Sequence, residues 1–129
     1  MDCISPIATG EFIVGMSWVH DIYKQVKQGY PIDVVIPEQT AYEIGGAAVV
    51  KGGKNQKNAE KFIDWLLTKD VGTMNTEISN RYSVLAEVAS PAGLPAIGDV
   101  DLVSYDRAKA GEMKTSVVDK FDKEIASKR

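Results

Sequence analysis

The sequence predicts an α/β fold in which a mixed or parallel sheet is flanked by helices. Apolar runs of strand length occupy residues 10–18 (GEFIVGMSW), 32–36 (IDVVI) and 46–50 (GAAVV), and glycine or proline bounds them. Amphipathic patterns of helical period alternate with these runs. Strand, helix and strand within residues 10–36 form the pattern of a βαβ unit, for which parallel pairing is the default.

The first helix of this unit is predicted over Ser17–Gln28. Gly29 follows as a candidate C-cap, since glycine readily adopts the left-handed conformation that ends helices. Pro31 then opens the second buried strand and Pro37 stops it. The face of the helix that points to the sheet is expected to consist of Val19, Ile22, Tyr23 and Val26.

The central stretch, residues 42–70, reads as a short buried strand, a turn at 51–53 and a helix. Asn55 is the predicted N-cap of that helix. A second short helix is expected to run through residues 71–78. The apolar stripe of the first of these helices is Ala59, Phe62, Ile63, Leu66 and Leu67.

The remaining chain is predicted to form an ordered loop and a terminal helix. Residues 81–101 are rich in Pro, Gly and Ala, but they are expected to be anchored by the apolar side chains of Val84, Leu85, Val88, Leu94 and Ile97. The last helix is expected over Glu112–Ala126. Its apolar stripe is Met113, Val117, Val118, Phe121 and Ile125.

Composition excludes several function classes. The chain has 129 residues, the size of one domain, with 44% hydrophobic and 26% charged residues. A net charge of −3 without a basic cluster argues against nucleic-acid binding. No apolar run has the length of a membrane span. Cys3 is the single cysteine, so we expect an ordinary thiol and no disulfide framework.

The sequence offers little for catalysis. It contains one histidine, no nucleophile elbow and no Walker-type phosphate loop. We therefore expect a protein that is not an enzyme and that carries no cofactor.

The strongest candidate site is His20-Asp21, in the first turn of the helix that follows the 10–18 run. Ligands of open α/β sheets bind at the carboxyl ends of strands, where helix N-termini offer N–H donors to anions. Histidine would add a donor and Asp21 an acceptor for a hydroxyl group. On the residues alone, an alternative stays open: Asp21 as a favourable first-turn acid and His20 as a solvated surface residue.

The central stretch also carries a family resemblance. Gly45-Gly46, the small apolar run, Lys-Gly-x-Lys-Asn at 51–55 and Ala-x-x-Phe-Ile-Asp-Trp-Leu-Leu at 59–67 resemble the solute-binding proteins of ABC importers. The likeness extends over roughly residues 7–121 and is weakest at 81–96. It is closest to the type 2 periplasmic-binding-protein branch that includes ferric-ion binders.

The resemblance implies part of a two-lobed structure. Residues 1–38 would form part of the second lobe, as the βαβ unit, and residues 39–80 part of the first lobe. Residues 81–129 would be a C-terminal crossover with a helix packing back on a lobe.

The resemblance also gives His20-Asp21 a role. Ferric-binding members carry two adjacent tyrosines at this place, and this chain has no such pair. His20-Asp21 instead resembles the members that bind phosphorylated sugars with a His-Asp pair and a later glutamate, for which Glu43 is the best match. His20 would contact the phosphate or a hydroxyl, and Asp21 and Glu43 would accept from sugar hydroxyls. Ser17 and Trp18 complete the predicted ligand-binding set.

The implied function is capture of a small anionic solute, a phosphorylated sugar or related organophosphate, for an ABC permease. One alternative is capture of ferric iron or another metal by His20, Asp21 and Glu43. A second alternative is an interaction or assembly module of the same fold that takes no part in transport.

The family is exported, yet no signal segment is recognisable near Met1. We therefore expect this chain to be the C-terminal part of a periplasmic or membrane-anchored extracellular protein. Sheets that lack their other strands would leave exposed edges, and homo-oligomers through those edges are expected.

Overall fold

The computed structural model describes residues 4–128, and its regular structure is helical. Cys3 lies outside the described residues. Short 3₁₀ turns occur at Ile97–Asp99 and Ala126–Lys128. The α-helices are α1 (Ser5–Ala8), α2 (Val19–Lys27), α3 (Gln56–Leu66), α4 (Lys69–Ser79) and α5 (Arg107–Glu124).

The prediction of a mixed or parallel sheet is wrong for this chain. Within residues 4–128 no sheet forms, and strand-type pairing is limited to one parallel bridge between Thr40 and Leu102. In that bridge, Thr40 N–H donates to the carbonyl of Asp101 at 2.9 Å, and Val103 N–H donates to the carbonyl of Thr40 at 3.0 Å. The predicted βαβ unit and its sheet edges are therefore not formed in the described part of the chain.

The failure has a physical cause, which is the absence of pairing partners. The predicted strands were expected to be buried, but Ile13 is 101% exposed, Val14 83%, Val35 84% and Val50 76%. A strand is stabilised by hydrogen bonds to a neighbouring strand and by burial of its side chains. These segments have the amino-acid composition of strands, but within residues 4–128 no neighbouring strand pairs with them.

The helix predictions at 17–28, 56–67 and 71–78 are confirmed to within a few residues by α2, α3 and α4. Gly29 lies just beyond α2 with φ +85°, as a residue that ends a helix should. Asn55 is the N-cap of α3, but its side chain makes no capping hydrogen bond.

The terminal helix begins earlier than predicted. α5 starts at Arg107 rather than Glu112 because Asp106 is its N-cap. The carboxylate of Asp106 accepts from the N–H groups of Ala108 at 3.0 Å and Lys109 at 3.1 Å. An aspartate before Arg-Ala-Lys-Ala is a signal for a helix start that the apolar stripe alone did not reveal.

The buried part of the structure is centred on α4. Val71 is 8% exposed and Thr76 4% exposed. Gly72 allows the following loop to approach α4 closely, since a Cβ there would lie 3.0 Å from Val88 Cγ2 and 3.2 Å from Leu85 Cδ1. Of the apolar anchors predicted within 81–101, Leu85 and Val88 therefore lie against the helix, whereas Val84 is 67% exposed.

Two long-range hydrogen bonds attach α2 to this centre. The hydroxyl of Tyr23 donates to the carbonyl of Ala92 at 2.6 Å, and Lys27 Nζ donates to Asn80 Oδ1 at 2.7 Å. Because both anchors lie on α2 itself, they fix the helix that carries the His20-Asp21 pair in its first turn.

Candidate functional site

The N-terminus of α2 is uncapped. Trp18 is the N-cap, with φ −68° and ψ 135°, and it offers no side-chain acceptor. Its carbonyl accepts from the N–H groups of Asp21 and Ile22. The N–H groups of Val19 and His20 have no acceptor within residues 4–128. Free donors and the positive end of the helix dipole together favour an anion at this position.

His20 lies partly beneath the surface beside these donors. Its side chain is 13% exposed, and its Nε2 atom is shielded from solvent without a hydrogen-bond partner. Asp21 Oδ2 lies 3.6 Å from Nε2, which is too far for a hydrogen bond. The Trp18 ring stacks near the imidazole, with 6.4 Å between ring centroids and an angle of 29°.

Burial lowers the pKa of His20 below its usual value, the charge of Asp21 raises it, and the charge of Arg81 lowers it further. Burial dominates, so the imidazole is neutral at pH 7 and Nε2 is either a donor or an acceptor without a counterpart. An unsatisfied polar atom of this kind has a free-energy cost that a bound ligand could offset.

Arg81 is a member of this neighbourhood that the sequence analysis missed. It follows Asn80, the C-cap of α4, and its guanidinium has no hydrogen bond or ion pair within the described chain. The sequence gives little indication of a role for Arg81, because this residue begins the stretch, 81–96, in which the family resemblance is weakest. The hydrogen bond from Lys27 to Asn80 joins α2 to the residue next to Arg81, whose charge acts on His20.

The other predicted residues divide into two groups. Ser17 and Trp18 immediately precede the pair in sequence and are exposed, Trp18 at 52%. Glu43 is exposed on an irregular segment, and no described contact joins it to His20 or Asp21. Among residues 4–128, no three His, Cys, Asp or Glu side chains converge in a way that could hold a metal ion.

An open concavity of about 440 Å³ lies further along α2. None of the five predicted ligand-binding residues lines it. Tyr23, one turn after His20, forms part of its wall, and the loop fixed by the Tyr23–Ala92 hydrogen bond forms another. Its lining residues are Tyr23, Val26, Asp33, Val34, Ile36, Gly93, Leu94 and Pro95.

Comparison with known proteins assigns the chain to a family. It is 29% identical over 123 residues to an uncharacterized protein of Haemophilus influenzae, and the alignment covers 92% of this chain but 36% of that protein. The chain thus spans about a third of this relative's length. No solved structure matches. The family model of bacterial extracellular solute-binding proteins matches residues 4–110, so the chain belongs to that family.

Proposed function

We propose that the chain supplies one wall of a binding site for a small anionic solute, a phosphorylated sugar or related organophosphate, which is delivered to an ABC importer. Membership of the extracellular solute-binding family supports the general activity. It is also consistent with an extracellular or periplasmic setting. No helix in residues 4–128 combines the length and apolar character needed to cross a bilayer.

The observation that carries the choice of an anion is the uncapped N-terminus of α2. Two N–H groups, of Val19 and His20, are free in the first turn, and the unpaired guanidinium of Arg81 is near enough for its charge to act on His20. Backbone donors at a helix N-terminus and an arginine are a common combination at phosphate sites. The same groups would hold a neutral sugar less strongly because they would gain no charge-assisted hydrogen bond.

Asp21 supports the sugar part of the ligand. Its carboxylate is half exposed, at 49%, and so is available as an acceptor beside the anion site. A carboxylate next to a phosphate repels it unless hydroxyl groups lie between them. A phosphate contacting Val19, His20 and Arg81, with a hydroxyl donating to Asp21, satisfies both constraints. Glu43 would accept a further hydroxyl from the opposite side in the longer protein.

The test is a titration followed at individual backbone amides. A ¹⁵N-labelled sample of the chain is titrated with a hexose phosphate, the corresponding hexose, inorganic phosphate and ferric citrate at millimolar concentrations. Hexose phosphate should shift the amide signals of Val19 and His20, and the free hexose should not. Arg81→Ala should weaken this binding about tenfold, equal to about 1.4 kcal/mol. Lys24→Ala, an exposed lysine on the same helix, is the matched control.

Two outcomes would overturn the proposal. One is the absence of any shift at Val19 and His20 with hexose phosphate, with the helix still folded by its chemical shifts. The other is an equal response to the neutral hexose. If inorganic phosphate by itself produces the same shifts, the anion part of the proposal stands and the sugar part is contradicted.

A further inference from the structure

Arg81 lies between two residues whose side chains make long-range hydrogen bonds. On its N-terminal side, Asn80 adopts the left-handed conformation that ends α4, and its side chain accepts from Lys27 of α2 at 2.7 Å. The N–H group of Arg81 itself donates to Ser79 Oγ at 3.2 Å. The backbone leading into Arg81 is therefore fixed locally and is joined to α2.

Tyr82 makes the hydrogen bond on the C-terminal side of Arg81. Its hydroxyl donates to the carbonyl of Pro95 at 2.9 Å. The side chain of Tyr82 is partly buried, and burial raises the pKa of its hydroxyl above the usual value. The group is therefore a neutral donor at pH 7. Because the bonded residues are 13 positions apart, the bond attaches Tyr82 to the 91–95 loop, the turn formed by residues 91–95.

The 91–95 loop is in turn attached to α2. The hydroxyl of Tyr23, on α2, donates to the carbonyl of Ala92 at 2.6 Å. The flanks of the loop are joined to each other as well, since the N–H group of Ile97 donates to Ser90 Oγ at 3.0 Å. A group that binds this loop is thereby connected to α2.

Together these hydrogen bonds attach residues 80–82 to α2 by two separate routes. One route is the direct bond from Lys27, and the other passes through the 91–95 loop. A segment that is held at both ends has fewer accessible conformations than a segment held at one end. The backbone of Arg81 is thus restrained relative to α2.

We propose that Tyr82 is a positioning residue for the anion site, because its hydrogen bond to Pro95 fixes the backbone from which the Arg81 guanidinium reaches the anion at the N-terminus of α2. This inference rests on the proposed function, in which Arg81 binds the anion. Tyr82 acts through Arg81 and does not contact the ligand. An arginine whose backbone is already fixed binds more tightly, since less conformational freedom is lost on binding.

The first test uses no ligand and follows the pKa of His20, the single histidine, through its imidazole NMR signals. Arg81→Ala should raise this pKa, because it removes a positive charge that lowers it. Tyr82→Phe removes a hydroxyl group without changing any charge, and it should raise the pKa of His20 by a smaller amount. In an Arg81→Ala background, Tyr82→Phe should cause no further rise.

The double substitution separates positioning from a purely structural role. If Tyr82→Phe only loosened the fold, it would change the burial of His20 whether or not Arg81 is present. Tyr30→Phe is the matched control, since Tyr30 is 43% exposed and its hydroxyl has no hydrogen-bond partner within residues 4–128. This control should leave the pKa of His20 unchanged.

The second test measures the affinity of the same variants for hexose phosphate, by titration followed at the backbone amides. Tyr82→Phe should weaken binding about threefold, less than Arg81→Ala does, because the guanidinium is still present but less well placed. In the Arg81→Ala background, Tyr82→Phe should cause no further loss of affinity. Tyr30→Phe should bind as the parent does.

Three results would overturn the role of Tyr82. They are a pKa of His20 that Tyr82→Phe leaves at the parent value, an equal rise with and without Arg81, and an affinity for hexose phosphate that Tyr82→Phe does not change. A failure of the proposed function would look different. In that case the pKa of His20 would respond to Tyr82→Phe only when Arg81 is present, but the parent chain would bind no hexose phosphate. That result would support the positioning of Arg81 by Tyr82 and would overturn the anion site.

Discussion

Lys27 and Asn80 are 53 positions apart, yet Lys27 Nζ donates a 2.7 Å hydrogen bond to Asn80 Oδ1. Asn80 is the C-cap of α4, with φ 55°, and it is 7% exposed. The backbone of Asn80 thus ends α4, and its side chain accepts a hydrogen bond from Lys27, the last residue of α2. This contact brings together the helix that carries His20 and the chain segment that carries Arg81.

We predict that Asn80→Ala lowers the free energy of unfolding by about 2–4 kcal/mol, because it removes a hydrogen bond to a charged group and places alanine in a left-handed conformation. Asn80→Gly is the comparison, since glycine adopts this conformation without strain, and it should cost only the hydrogen bond. Urea denaturation measures both. Equal losses for the two variants would contradict the conformational part of the argument.

Gly93 allows the Tyr23 hydroxyl to reach the backbone of the 91–95 loop. Its φ is +88°, and a Cβ there would overlap the Tyr23 hydroxyl oxygen. Gly93→Ala should therefore lower stability by at least about 2 kcal/mol, from strain and steric overlap. Gly98→Ala, in a 3₁₀ turn with open space around it, is the control and should change stability by about 0.5 kcal/mol or less.

A double-mutant cycle separates the two causes. In a Tyr23→Phe background the hydroxyl is absent, so part of the overlap is relieved and Gly93→Ala should cost less than in the parent. Strict additivity of the two substitutions would contradict a direct contact between residues 23 and 93.

The lowered pKa of His20 predicts how stability depends on pH. The unfolded chain, with a histidine pKa near 6.5, binds the proton more readily than the folded chain. The contribution of His20 is therefore fully present above pH 6.5 and is lost as the pH falls toward the lower pKa of the folded state. His20→Gln should remove this part of the pH dependence, and unfolding free energies of both proteins between about pH 8 and about pH 5 measure it.

Because His20 is the only histidine, its imidazole signals can be followed directly by NMR. A midpoint above 6.5 would contradict the prediction. Hexose phosphate should raise the midpoint, since an anion beside the ring favours its protonated form.

Asp106 should control the start of α5. Asp106→Ala removes the acceptor for Ala108 and Lys109 and should destabilise the helix by about 0.5–2 kcal/mol. Asp106→Asn keeps a side-chain acceptor and should retain most of the stability. Amide hydrogen exchange over residues 107–112 measures the effect locally. Unchanged exchange in the alanine variant would contradict a role for this cap.

Local chemistry in the sequence predicted the helices well. The period of apolar residues located α2, α3 and α4, and Gly29 marked the end of α2. These features depend on residues a few positions apart, so the sequence contains all that is needed to recognise them. Asp106 is a local signal of the same kind. The predicted start of α5 was wrong because it depended on the apolar stripe and not on this N-cap.

The sheet could not be decided in this way. Residues 10–18, 32–36 and 46–50 have the composition of strands, but strand pairing needs a second segment at the right distance, and the described chain provides only the Thr40–Leu102 bridge. The candidate site likewise depends in part on local sequence and in part on long-range contacts. The sequence alone placed His20 and Asp21 in the first turn of a helix, because neighbours in sequence share a turn. Only the tertiary structure, in which the Lys27–Asn80 hydrogen bond joins α2 to the end of α4, lets the charge of Arg81 act on His20 and leaves Glu43 without a described contact to His20 or Asp21. Such relationships arise from long-range contacts that local patterns do not encode.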